Sequence, residues 1–166
     1  MKTLNIFLFI ILIIAILGMI ILFQNRSVDN KQANKYPFFL STKFNTSNIR
    51  SGPGEEFPVI WVYKEKNIPF KVVAAYKNWY QIQNYNGKIG WIFKNTTGKT
   101  KSAITNAKTI VYKSPDVGAK RVATIDKGII VIALKIKGDY VQIYLNIDKV
   151  KIRGWTLKSN LWGDYK

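Results

Sequence analysis

From residue 36 almost to the C-terminus, apolar and polar positions alternate with a period of two, in short runs broken by glycine, asparagine, aspartate and proline. That period belongs to strands with one buried face. No stretch of this region repeats its apolar residues at helical spacing. The clearest case is NWYQIQNYNGKIGWI, residues 78–92. Tyr80-Gln81-Ile82-Gln83 alternates, Asn86-Gly87 offers the positive φ angles of a type I′ turn, and Lys88-Ile89-Gly90-Trp91-Ile92 returns. Gly90 predicts the close passage of another backbone or a large ring, since glycine otherwise weakens a strand. Many short strands between turn signals predict an all-β chain of small-barrel architecture.

The pattern then repeats. Asp139-Tyr140-Val141-Gln142-Ile143 echoes Asn78-Trp79-Tyr80-Gln81-Ile82, and Arg153-Gly154-Trp155-Thr156 echoes Ile89-Gly90-Trp91-Ile92. Upstream, Tyr112-Lys113-Ser114-Pro115-Asp116 stands where Arg50-Ser51-Gly52-Pro53-Gly54 stands in the first copy, and Val122-Ala123-Thr124-Ile125 matches Val59-Ile60-Trp61-Val62. Self-similarity at a period of roughly 60 residues predicts two copies of one small domain.

The N-terminus follows a different rule. Residues 4–23 are apolar apart from Asn5 and Gly18, and residues 6–23 form a run of about 18, long enough to span a bilayer. The run is longer than the apolar core of a signal peptide and ends without a small-residue cleavage site. An uncleaved anchor and a cleaved signal would both export the rest of the chain. Lys2 on one side, against Arg26, Lys31 and Lys35 on the other, would favour the reverse topology. Export is nevertheless expected, as the usual arrangement of a single hydrophobic segment ahead of a β-rich domain. Residues 24–35 are polar and aperiodic, as in a solvated linker.

Composition narrows the chemistry. The chain has no cysteine and no histidine, which removes disulfides, Cys–His and Ser-His-Asp catalysis and nearly all zinc sites. Among the acids, Glu55 and Glu56 are adjacent in a turn, while Asp116, Asp126 and Asp139 are scattered, so nothing pairs two carboxylates across a glycosidic bond. No catalytic residue, metal or cofactor is expected. A net charge of +17 fits an anionic partner, or compositional drift in a chain rich in Lys, Asn and Ile. The lysines form no dense run, and with export expected, nucleic acid is disfavoured.

NIRSGPG, residues 48–54, poses the sharpest choice. A phosphate loop aims consecutive amides inward and opens a helix. Here Pro53 removes an amide, Glu55-Glu56 stand where an anion would sit, and residues 57–63 read as strand. The motif is a turn, with Gly52 and Gly54 permitting backbone conformations closed to other residues. Arg50 then either bonds across the turn or offers its planar fork to a ligand carboxylate.

NIRSGPG, Phe57-Pro58-Val59-Ile60, Asn78-Trp79-Tyr80, Asn86-Gly87 and Gly90-Trp91-Ile92 together resemble the bacterial SH3-like (SH3b) family, in its exported two-copy form. The second copy lacks the arginine and both turn glycines. The resemblance implies two small, partly open SH3-like barrels in tandem after an N-terminal hydrophobic helix. It divides the chain into a signal peptide or membrane anchor (1–26), a linker (27–37), a first SH3-like domain (38–98), a linker (99–106) and a second domain (107–166). It further implies a non-catalytic binding role at the cell envelope, on the periplasmic side, with residues 4–23 anchoring the chain in the inner membrane. The implied partner is a cell-wall peptide or glycan, or an envelope protein; the alternative is structural docking within a membrane complex.

A barrel of this kind recognises peptides through an aromatic-lined groove. Alternation puts Tyr80 with Ile82 on one face and Trp79 with Gln81 on the other, so with Ile82 in the core Trp79 is expected at the surface. Trp61 and Tyr63 share a face opposite Ile60 and Val62. The expected groove is Arg50, Trp61, Tyr63, Trp79 and Trp91, with the same rings also available to fill so small a core.

Overall fold

A computed structural model describes residues 13–19, 35–147 and 150–165. Residues 13–19 are helical, and among the described residues no helix is long and apolar enough to cross a membrane. The expected anchor over residues 4–23 lies mostly outside the described residues, as does most of the linker at 27–37. Residues 1–36 and 37–166 are separate units. The second unit is all-β.

Seven strands make its first sheet: β1 (Phe38–Thr42), β2 (Ser47–Arg50), β3 (Val59–Tyr63), β4 (Pro69–Tyr76), β5 (Trp79–Gln83), β6 (Ile89–Phe93) and β7 (Thr97–Gly98). Seven more make the second: β8 (Ser102–Thr105), β9 (Thr109–Tyr112), β10 (Arg121–Ile125), β11 (Ile130–Lys137), β12 (Tyr140–Ile147), β13 (Val150–Leu157) and β14 (Leu161–Gly163). The orders are β3-β2-β6-β5-β4-β1-β7 and β10-β9-β13-β12-β11-β8-β14, the same permutation twice. All pairings are antiparallel, and each sheet curls into a barrel-like unit. Alternation sets the interiors: Ile49, Phe70, Val72, Ile82 and Ile92 are fully buried in the first, and Val111, Val131, Val141 and Ile143 in the second.

The duplication extends to a contact the sequence pattern did not flag. The Thr42 hydroxyl donates to the Glu65 carbonyl (2.8 Å) and accepts from the Ile68 amide (3.0 Å). Thr105 repeats this with the Asp126 carbonyl (2.7 Å) and the Ile129 amide (3.0 Å). Beside them Asn67 (φ 63°) and Gly128 (φ 86°) take the same left-handed turn position and donate to the Thr42 and Thr105 carbonyls. Each buried threonine pins the first strand of its barrel to the turn entering β4 or β11.

Two local expectations need correction. Gly87 has φ 81° but Asn86 is not at positive φ, so the hairpin turn is not type I′. The Asn84 amide donates to the Lys88 carbonyl (2.9 Å), and its side-chain oxygen accepts from the Asn86 and Lys88 amides (3.0 and 2.9 Å). That makes a three-residue loop, 85–87, ending in a left-handed glycine. The match between copies is also displaced by one residue in β3. Arg50 pairs with Val59 and Ile49 with Trp61, while Tyr112 pairs with Arg121 and Val111 with Ala123. Trp61 therefore corresponds to Ala123, not Thr124. Both strands carry a bulge at this point, which hides the register from any comparison of residue types.

Candidate functional site

Arg50 ends β2, opposite the bulge in β3, and its side chain reaches the following loop. Its Nη1 donates to the carbonyls of Glu55 (2.9 Å) and Phe57 (2.8 Å), so the guanidinium staples the turn closed. Neither Gly52 nor Gly54 adopts a positive φ. The expected reason for these glycines is thus replaced by another. A Cβ on Gly52 would run into the Phe57 ring, and one on Gly54 into the Glu56 carboxylate. The Phe57 ring therefore calls for glycine at 52, whereas at 54 the obstacle is the end of a flexible side chain that can swing aside.

The five expected groove residues do not gather in one place. Arg50 and Trp91 are cross-strand partners on the outer face, in the row Val59–Arg50–Trp91–Gln81–Ala74 that runs over β3, β2, β6, β5 and β4. Trp79 belongs to that face but is not at the surface; only 9% of it is exposed. Phe93, its partner on β6, lies 5.4 Å away centroid to centroid, and Thr46, Asn48, Arg50 and Glu55 close around it, leaving a cavity of about 210 Å³. The outward face of β5 is covered by the turn that Arg50 holds, and alternation alone says nothing of such a cover.

Trp61 and Tyr63 face inward, at the mouth of the barrel. Their rings meet edge to face at 6.4 Å. Gly90 lies beneath Trp61: a Cβ there would come within 2.5 Å of the Ile49 Cγ2 and 2.8 Å of the Trp61 Cη2, so the large ring expected to pass this glycine is Trp61. The Trp61 Nε1 and the Tyr63 hydroxyl are both buried without a hydrogen-bond partner of good geometry. Burial pushes the Tyr63 hydroxyl above its ordinary pKa of 10.0, while the nearby Trp61 and Asn84 side chains pull it back part of the way. Next to Tyr63 a cavity of about 340 Å³ is lined by Ile68, Pro69, Asn84, Tyr85 and Asn86, and also by Ile104 of β8 and Gly128 of the turn between β10 and β11.

Sequence reasoning missed this contribution of the second sheet. Trp162 of β14 packs edge-on against Phe39 (5.2 Å) and Tyr85 (5.7 Å), bringing the two barrels together beside the cavity. Asn84 was missed as well, although an asparagine two residues before Asn86-Gly87 is a cue for a side-chain-capped turn. Among the described residues, no group of three or more acidic, histidine or cysteine side chains is placed to hold a metal.

Residues 43–97 match the family model described as "Bacterial SH3 domain", and the first barrel is a domain of that family. A search of curated proteins found no match. Among solved structures, NlpC1 and NlpC2 from Trichomonas vaginalis are similar to 79% and 76% of this chain, at 12% and 11% identity and a TM-score of 0.34 in each case. The chain covers 47% and 48% of those two proteins, about half their length.

Proposed function

We propose that the chain is a non-catalytic binding module of the cell envelope whose first barrel holds a peptide, such as a peptidoglycan stem, at the Trp61–Tyr63 mouth. The family match over residues 43–97 supports a binding role. The observation that carries the site is the Tyr63 hydroxyl, a buried unpaired donor beside an open cavity, with a second unpaired donor, the Trp61 Nε1, on the ring that packs against it. A peptide carbonyl supplies the acceptor they lack, and the flanking rings supply contact area at small entropic cost. In this reading the apolar residues 4–23 export and anchor the chain.

A second reading, docking to an envelope protein, has its own observation. β3 is an edge strand, and Val59 (42%), Ile60 (47%) and Val62 (36%) are exposed along it. Such an edge accepts an added strand.

Co-sedimentation of the detergent-solubilised full chain with purified peptidoglycan sacculi separates the two. Wall binding predicts pelleting at moderate salt, weakened roughly three- to tenfold by Tyr63→Phe, which removes only the hydroxyl. Absence of pelleting refutes the wall ligand. Pelleting that Tyr63→Phe leaves unchanged moves the site away from the mouth.

A further inference from the structure

The shared register allows the outer faces of the two barrels to be compared position by position. In the second sheet the row Arg121–Tyr112–Trp155–Gln142–Lys135 crosses β10, β9, β13, β12 and β11, and matches Val59–Arg50–Trp91–Gln81–Ala74. The central Trp and Gln are the same in both. Around them, four uncharged positions of the first sheet become cations in the second: Val59 to Arg121, Ala74 to Lys135, Tyr76 to Lys137 and Ile89 to Arg153. Two changes run the other way, Arg50 to Tyr112 and Lys71 to Ile132, but Arg50 is already committed to its turn. Lys151 adds a fifth cation on the part of the β12–β13 hairpin that extends beyond the first copy's.

All five cations are exposed. Strands β9 to β13 contain no acidic residue. Among these five side chains the structure gives one polar contact, Arg153 Nη2 donating to Gln142 Oε1 at 3.3 Å. From the first barrel, Glu65 lines the cleft that Tyr144 also lines, at one corner of the face. Asp116 and Asp139 lie in the turns that join these strands, so among the described residues it is the strands themselves that carry charge of one sign, and such a patch marks a surface for an anion.

We propose that the outer face of the second barrel docks onto an anionic phospholipid bilayer. Its shape decides between anions. Five strands carry the face around the outside of the barrel, roughly 20 Å measured along the sheet. The cations stand on β10, β11 and β13 around Gln142, with Tyr112 and Trp155 half-buried between them and Tyr140 half-buried at the β11–β12 end. A thread-like polyanion is followed by a continuous basic groove, whereas a bilayer meets a broad face with aromatics at headgroup depth and cations on the phosphates. An apolar segment and a basic face in one chain are also the two signals that together hold a protein on a membrane. Docking does not depend on the wall-peptide reading, because vesicles carry no peptidoglycan.

The chain has no cysteine, so Gln142→Cys gives a single attachment point for a polarity-sensitive dye at the centre of the face. Gln81→Cys gives the corresponding point on the first barrel. The full chain is reconstituted into vesicles of phosphatidylcholine with or without phosphatidylglycerol. The dye at 142 should shift to the blue only with phosphatidylglycerol, return at high salt, and stay unshifted in Arg121→Glu/Lys135→Glu/Arg153→Glu, while the dye at 81 shows none of this. Circular dichroism of the triple variant confirms that it is folded. No shift at 142, an equal shift without anionic lipid, or stronger binding to single-stranded DNA or polyphosphate than to the vesicles overturns the proposal.

Discussion

Where the first barrel sets Trp61 over Gly90, the register puts Ala123 at the position in the second that corresponds to Trp61. The inward positions around them stay small or apolar in both: Ile49 and Val111, Val72 and Ala133, Ile82 and Ile143. Gly90 and Gly154 are retained for partly different reasons. A Cβ on either would meet a core side chain at 2.5 Å, Ile49 or Val111; beyond that Gly90 makes room for the Trp61 ring, whereas a Cβ on Gly154 would stand 2.6 Å from the Tyr112 carbonyl oxygen. One strand pairing thus supports two surfaces, an aromatic mouth with unpaired donors and a basic sheet face. A duplicated barrel can diverge on the outside at little cost to its interior, because the ladder and the buried threonines carry no information about the outward side chains.

That contrast can be broken most severely at Trp79. Trp79→Ala should cost about 3–5 kcal/mol of stability in chemical denaturation, because the ring is nearly fully enclosed. Tyr140→Ala, at the corresponding half-buried position, should cost clearly less; equal losses would mean that the turn cover on the first barrel is not a real difference. The glycines come next. Overpacking is expected to cost about 1–3 kcal/mol. Gly154→Ala, pressed on backbone, should fall near the top of that range and Gly90→Ala near the bottom. A reversed order, measured the same way, would show that the Trp61 ring is held more rigidly than the β9 backbone.

The threonines test what the barrels share. Thr42→Val and Thr105→Val should each destabilise by about 1–2 kcal/mol, since each strands a backbone amide and carbonyl. A marked inequality would show that the two turns are not equivalent in energy. The smallest effect is at Tyr63. Tyr63→Phe should change stability at neutral pH by no more than about 0.5 kcal/mol, because the buried hydroxyl has no good partner to lose. Alkaline unfolding should distinguish the two proteins. With the folded pKa raised above 10.0, the neutral phenol favours the folded state below that pH, and stability falls as pH rises through it. The variant should lack this part of the loss, and identical profiles above pH 10 would place the hydroxyl in contact with water.

Much of this molecule is legible in its residues alone. Alternation specifies the all-β class, the hairpin at 78–92 and the pairing of Trp61 with Tyr63 on one face. The echo between copies located Trp155 and Gln142 opposite their counterparts correctly, because strands joined by a hairpin share a register that the turn sets locally. The same comparison slipped by one residue in β10, where a bulge adds a position that residue type does not reveal.

What the sequence determined by itself is therefore what period-two patterning and turn chemistry encode: strands, their two faces, the duplication, and the lack of the side chains that most catalysis needs. Only the tertiary structure decided which faces are covered. The turn held by Arg50 buries Trp79, and Trp162 brings the second barrel beside the Tyr63 cavity. The same structure left the outer face of the second sheet open with its cations exposed. A strand's pattern records that it has two sides; what lies against each side is set by residues far away in the chain.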